Sequence, residues 1–190
     1  GVTLFRNGTD VTSQNNVLTT LAVGFYNYTG VSNGDGNHSS ASATFFVTIS
    51  KANSVVNLTL NGTDGNVTIV QDSSIFLNVT TITGDSGATL RLYKAGTQIN
   101  ETNSSPTVNS STFNTVGVFN ITGVYNESEN FTGSFETWFV NVTETPDTTA
   151  PSVTSLTERP SDPAVYSPGQ KYEFNATVTD NRNINLVRID

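Results

Sequence analysis

Cysteine and methionine are both missing from these 190 residues, and histidine and tryptophan occur once each. Without cysteine there is no disulfide framework and no thiolate metal site. That absence suits the cytosol, or an extracellular protein stabilised by other means. Basic residues number 8 against 16 acidic, a net charge of −8. No basic stripe is present to neutralise phosphates, which excludes nucleic acid as a partner and gives no support for anionic membrane surfaces. No apolar run approaches the roughly 18 residues that a membrane span needs. Charged residues are only 13%, about half the usual share, so solubility falls to Asn, Ser and Thr or to groups attached to them. The chain opens on Gly1 with no initiator Met and no signal peptide, and reads as a processed chain or an excerpt from a longer one.

What is abundant is β-branched: 21 Val, 8 Ile and 31 Thr, against 3 Lys among the helix formers. Such side chains suit a pleated, half-buried surface and lose rotamer freedom in a helix. The chain is therefore expected to be nearly all β, with a lean core.

An internal repeat sets the organisation. Val23-Gly-Phe-Tyr-Asn-Tyr-Thr-Gly-Val-Ser-Asn33 matches Val116-Gly-Val-Phe-Asn-Ile-Thr-Gly-Val-Tyr-Asn126 at an offset of 93, as Thr44-Phe45-Phe46-Val47 matches Thr137-Trp138-Phe139-Val140. Leu4–Val11 matches Leu92–Ile99 at an offset of 88, and Tyr172–Thr177 resembles Ile75–Thr80 at an offset of 97. One complete copy is expected at residues 53–145. Residues 1–51 read as the C-terminal part of one copy, 146–151 as a proline-bounded linker, and 147–190 as the N-terminal part of another.

Within the complete copy the spacing predicts strands at Ser54–Leu60, Val67–Val70, Ile75–Ile82, Thr89–Lys94, Thr107–Phe113, Val116–Thr122 and Ser134–Thr143. Asn61-Gly62, Asp64-Gly65, Gly84-Asp85 and Ala95-Gly96 punctuate them. Seven short strands with turns at this spacing form the pattern of an immunoglobulin-like β-sandwich. Thr115-Val-Gly-Val-Phe-Asn-Ile121 is similar to the immunoglobulin F-strand motif Asp-x-Gly-x-Tyr-x-Cys. Phe119 and Tyr26 stand at the tyrosine-corner position, and Ile121 and Tyr28 replace the cysteine. Phe119 has no hydroxyl, so the corner hydrogen bond is not expected in the complete copy. Trp138 and its counterpart Phe45 read as core.

Fifteen asparagines stand in Asn-x-Ser/Thr sequons: Asn7, Asn27, Asn37, Asn57, Asn61, Asn66, Asn78, Asn100, Asn103, Asn109, Asn120, Asn126, Asn130, Asn141 and Asn175. A random arrangement of 23 Asn with 51 Ser and Thr in 190 residues gives about six. Strand residues two apart share a face, so Asn57, Asn78 and Asn120 are expected opposite the apolar side chains of their strands, with room for a glycan. Phe46 and Phe139 hold equivalent outward registers. The alternatives are a locally bulged strand covered on both faces and a repeated contact surface with a neighbouring domain or chain, and the contact surface is the expectation.

Catalytic constellations are poor. His38 lies in the turn Asn33-Gly-Asp-Gly-Asn-His38 without Ser/Asp partners in motif context. That turn and Asn61-Gly-Thr-Asp-Gly-Asn66 lack EF-hand ligand spacing, and hairpin turns call for Asn and Gly in any case. Asp147 and Asp180 lie near a domain junction and are the remaining calcium candidates; a Lys–Asn crosslink would need a buried Lys51, Lys94 or Lys171, and nothing in the sequence marks one. No catalytic residue, metal site or cofactor is expected.

Asp147-Thr-Thr-Ala-Pro-Ser-Val153 and Tyr166-Ser-Pro-Gly-Gln-Lys-Tyr-Glu-Phe-Asn-Ala-Thr-Val-Thr-Asp-Asn181 resemble tandem Ig-like repeats of large prokaryotic cell-surface proteins. With the sequon density, the resemblance is greatest to archaeal surface glycoproteins and filaments. It implies a non-catalytic, extracellular segment of a stalk, surface layer, adhesin or filament. The expected function is a structural subunit or segment of a heavily N-glycosylated filament or stalk. An adhesin stalk and a non-catalytic module of a secreted hydrolase are the alternatives. Its partners would be N-glycans and copies of itself. By the offsets, Val187 and Ile189 match Leu90 and Leu92, as Val2 and Leu4 do. The two partial copies are therefore expected to complete one sandwich, either between chains or along one longer polypeptide.

Overall fold

The computed structural model describes residues 1–182, so Val187 and Ile189 lie outside the described residues. Strands dominate, as the β-branched composition requires, and among the described residues the only helical piece is a single 3-10 turn at Thr12–Gln14. The chain divides into two compact units, Gly1–Glu144 and Thr145–Asp190.

The first unit opens with an antiparallel sheet of β1 (Val2–Arg6), β2 (Thr9–Asp10), β3 (Gly24–Ser32) and β4 (Ala41–Ile49), in the order β2-β1-β3-β4. Next come β5 (Ala52–Asn53), β6 (Val55–Leu60), β7 (Val67–Val70), β8 (Ser73–Thr83), β9 (Leu90–Lys94) and β10 (Thr97–Thr102). They are followed by β11 (Thr107–Phe113), β12 (Gly117–Tyr125), β13 (Phe131–Thr132) and β14 (Ser134–Thr143). These build a sandwich from a three-stranded sheet, β11-β8-β6, and a five-stranded sheet, β10-β9-β12-β14-β7. The short strands β5 and β13 pair in parallel beside them. The antiparallel ladders, the parallel β7–β14 pair and the two facing sheets make this an immunoglobulin-like sandwich.

Period-two alternation explains the packing. Val56, Leu58 and Leu60 on β6 face the same core as Ile75, Leu77 and Val79 on β8, and Leu90 and Leu92 on β9. Phe113, Ile121, Tyr125, Val140 and Val142 complete it. Each such side chain contributes about 1.5–3 kcal/mol by leaving water. At Gly123 the two sheets approach so closely that a Cβ would stand 2.6 Å from Val79 Cγ2.

The opening sheet has the same plan. Strands β1, β2, β3 and β4 are the sequence counterparts of β9, β10, β12 and β14. Among the described residues no strand pairs with residues 15–23, whose counterparts in the complete copy include β11. Phe45 is 74% exposed although its counterpart Trp138 packs against the core. Phe45 is exposed because no second sheet lies over that face of β4 within the first unit. Residues 144–151 carry no regular structure. In the second unit β15 (Ser152–Arg159) and β16 (Glu173–Thr179) form an antiparallel pair, the counterpart of β6 and β8.

Candidate functional site

None of the fifteen sequon asparagines is buried. Asn27, Asn57, Asn78, Asn100, Asn109, Asn120, Asn141 and Asn175 lie on strands. Asn7, Asn37, Asn61, Asn66, Asn103, Asn126 and Asn130 lie in turns and loops. Asn120 is exposed while Phe119 and Ile121 turn inward, and Asn78 stands opposite the buried Ile75, Leu77 and Val79. Asn78 Oδ1 is nonetheless enclosed without a partner.

Asn109 departs from the solvent-facing pattern. It shares its register with Thr107, Ser111 and Phe113, all buried. Its Nδ2 donates to the Ile99 carbonyl at 3.3 Å, and its Oδ1 accepts from Ser111 Oγ at 2.8 Å. Asn100 on the neighbouring strand is also engaged, with Nδ2 donating to the Val108 carbonyl.

The outward face of each repeat carries the same four-residue arrangement. On β3 and β4, Asn27 pairs with Phe46 and Thr29 with Thr44. On β12 and β14, Asn120 pairs with Phe139 and Thr122 with Thr137. The threonine pairs share hydrogen bonds of 2.9 and 2.8 Å. Phe46 is 65% exposed and stacks on Phe25, ring centroids 5.5 Å apart. Phe139 is 46% exposed, and Val118 occupies the place of Phe25. The backbone N–H of Phe139 donates to Oδ1 of Asn66 at 2.8 Å. Neither phenylalanine is buried inside its own domain.

The inner face carries a second repeated set. Tyr26 Oη donates to the Ala22 carbonyl at 3.0 Å, a tyrosine corner, with the Arg6 guanidinium 6.0 Å from the ring. In the complete copy Phe119 packs edge-to-face on Phe113 instead, and Lys94 Nζ stands 3.8 Å from the Phe113 centroid. Burial lowers the Lys94 pKa. Lys94 Nζ also donates to the Thr112 carbonyl.

The remaining candidates make local contacts. Asp35 Oδ1 accepts from the Asn37 and His38 backbone N–H groups and lies 2.9 Å from His38 Nδ1. These bonds hold its carboxyl below the ordinary value, that of Asn37 most. Asp147 and Asp180 each accept from the backbone two residues on. Lys51 Nζ meets Glu127 Oε1 and the Ser128 carbonyl. Among the described residues no group of three or more His, Asp or Glu could hold a metal ion, and no helix is long and apolar enough to cross a membrane.

One polar cluster at the end of the sandwich was not foreseen from sequence. The Asp85 N–H donates to Tyr125 Oη at 2.8 Å, Tyr125 Oη donates to Ser128 Oγ at 3.0 Å, and Ser128 Oγ donates to Asp85 Oδ2 at 2.7 Å. Only the Gly84-Asp85 turn signal pointed to this place.

No family model matches the chain, and no curated protein matches it. Among solved structures, the fibronectin(III)-like modules of Clostridium thermocellum CbhA are similar over 75% of this chain and 77% of that chain, at 15% identity and a TM-score of 0.39.

Proposed function

We propose that this chain is a structural segment of a heavily N-glycosylated extracellular filament or surface stalk, built from tandem immunoglobulin-like sandwiches and without catalytic activity. The observation that carries the reading is the placement of the sequons. Fifteen of them, well above a random arrangement, stand on the repeats, and none of these fifteen asparagines is buried. With so few charges, carbohydrate would provide the solvating coat. Intact glycopeptide mass spectrometry of native material tests this. Most sequons should be modified, with Asn109 the least occupied, and modification of fewer than a third of the sites would sink the reading.

Assembly follows from the uncovered strands. The sheet β1–β4 leaves Phe45 and Val2 exposed on the register that is buried in the complete copy. The pair β15–β16 leaves Val153, Leu156 and Phe174 exposed. Apolar faces and open ladders of this kind are stabilised by a complementary sheet. A hairpin of the β15–β16 type, from an adjoining repeat, supplies the two strands that β1–β4 lacks. Boiling native material in SDS distinguishes the two sources. Release of monomer or a ladder indicates complementation between chains, and one very large band indicates repeats along a single polypeptide.

A further inference from the structure

We infer that Phe46 and Phe139 are seats for the first sugars of the N-glycans on Asn27 and Asn120. The inference rests on the reading that these sequons are glycosylated. Sequence alone directs the two phenylalanines toward a neighbouring domain or chain, but the ladder supplies a nearer occupant. Asn27 is the direct cross-strand partner of Phe46, and Asn120 of Phe139. Directly opposed residues on one face have Cβ atoms only about 4.5–5.5 Å apart. A sugar on the asparagine nitrogen therefore starts within one ring's width of the phenyl face.

The local hydrogen bonds favour this geometry. Asn27 Oδ1 accepts from the Asn7 N–H at 3.0 Å, which engages the amide through its oxygen and not through the nitrogen that a sugar would take. The sequon threonines are tied sideways to Thr44 and Thr137, which keeps the strip beside each ring flat and low. The axial C–H groups of a pyranose are slightly positive and apolar, and the face of an aromatic ring is its negative side. Stacking the two removes apolar area of both from water, and the covalent link sets a high effective concentration. In the first repeat Phe25 stacks on one side of Phe46 and steadies the ring, which is still 65% exposed.

Duplication is the second argument. Across the 93-residue offset the neighbours drift, Phe25 to Val118 and Tyr28 to Ile121, but the Asn–Phe and Thr–Thr pairs are the same in both copies.

The test uses the full chain made in a host that glycosylates Asn-x-Ser/Thr sequons, with carbon-13 in the sugars. Glycopeptide mass spectrometry first establishes whether Asn27 and Asn120 are occupied. Empty sites would remove the glycosylation reading and this inference with it. With occupied sites, ring protons of the first sugar on each should be shifted upfield in NMR spectra by the phenyl ring current. Phe46→Ser and Phe139→Ser should abolish the shift at Asn27 and Asn120 respectively. Phe46→Tyr and Phe139→Tyr should keep it, and the amide spectrum should stay that of a folded chain. Occupied sites with unshifted sugar protons would overturn the seat while leaving glycosylation standing. So would rings that remain covered after enzymatic removal of the sugars, with the particle mass doubled, since a second protein copy would then be the occupant.

Discussion

Asn7 and Ala95 occupy the same place in the tight hairpins of the two repeats, and both take a left-handed conformation, φ 52° and 48°. Gly8 and Gly96 follow at 82° and 80°. Two consecutive positive φ angles define the two-residue turn that matches strand twist. Asparagine tolerates this conformation, whereas alanine places its Cβ against the following carbonyl. Ala95→Asn, in protein made without glycosylation, should therefore stabilise the complete sandwich by about 0.5–1 kcal/mol in denaturant unfolding. An unchanged or lower midpoint would show that the turn is not strained. At this scale the sequence is legible where an apolar neighbour fixes the register, as Leu77 and Val79 do for Asn78. It is not legible in Thr107-Val-Asn-Ser-Ser-Thr-Phe113, where polar residues fill both faces. There only the packing of Phe113 shows that Asn109 turns inward.

Among the elements, the seven strands read from turn spacing in the complete copy all form, and β10 appears beside them together with the two-residue strands β5 and β13. Strand β10 escapes notice because Thr97-Gln-Ile-Asn-Glu-Thr102 has no sustained alternation and lies at a sheet edge, where pairing alone holds it. The loops between strands carry chemistry of their own. The hydroxyl of Ser128, more than the amide groups of Asn130, holds the Asp85 carboxyl below its ordinary value of 3.8. A depressed carboxyl means that the folded state binds this proton less readily than the unfolded one. Its stabilising effect is full above the ordinary carboxylate pKa and is lost as pH falls through the lower, folded value. Protection of the Asn130 and Phe131 amides, taken relative to the intrinsic exchange rate at each pH, should fall in that acid window, and Asp85→Asn should flatten its pH dependence there. A profile identical in wild type and variant would remove Asp85 from this role.

For the whole molecule, two equivalent glycines report whether the first repeat acquires a second sheet. A Cβ on Gly123 would press on Val79, so Gly123→Ala should destabilise the complete sandwich by about 1–3 kcal/mol. A Cβ on Gly30, its counterpart, meets only Val2 Cγ1 at 3.9 Å. Gly30→Ala should leave the isolated chain unchanged in thermal unfolding. In native assemblies, where the proposed adjoining hairpin covers β3, it should reduce assembly yield. Equal tolerance in both settings would show that nothing packs there.

Tension is the load a fibre or stalk has to bear, and the parallel pairing of β7 with β14 determines how this sandwich would meet it. The pair runs from Val140↔Val67 to Thr143↔Val70, extended by Gln71 N–H donating to the Thr143 carbonyl at 2.8 Å. Strand β14 is the last of the sandwich, so a pull on residue 144 is felt there first. Because the two strands are parallel, an opposing pull through β6 and its turn loads their hydrogen bonds together, in shear. A hairpin pulled from its open end would break them one at a time. Ile69→Pro, which removes a backbone donor and stiffens β7, should lower the unfolding force in single-molecule stretching more than it lowers the denaturant midpoint. Equal proportional losses would mean that the pair is ordinary sheet and carries no special share of the load.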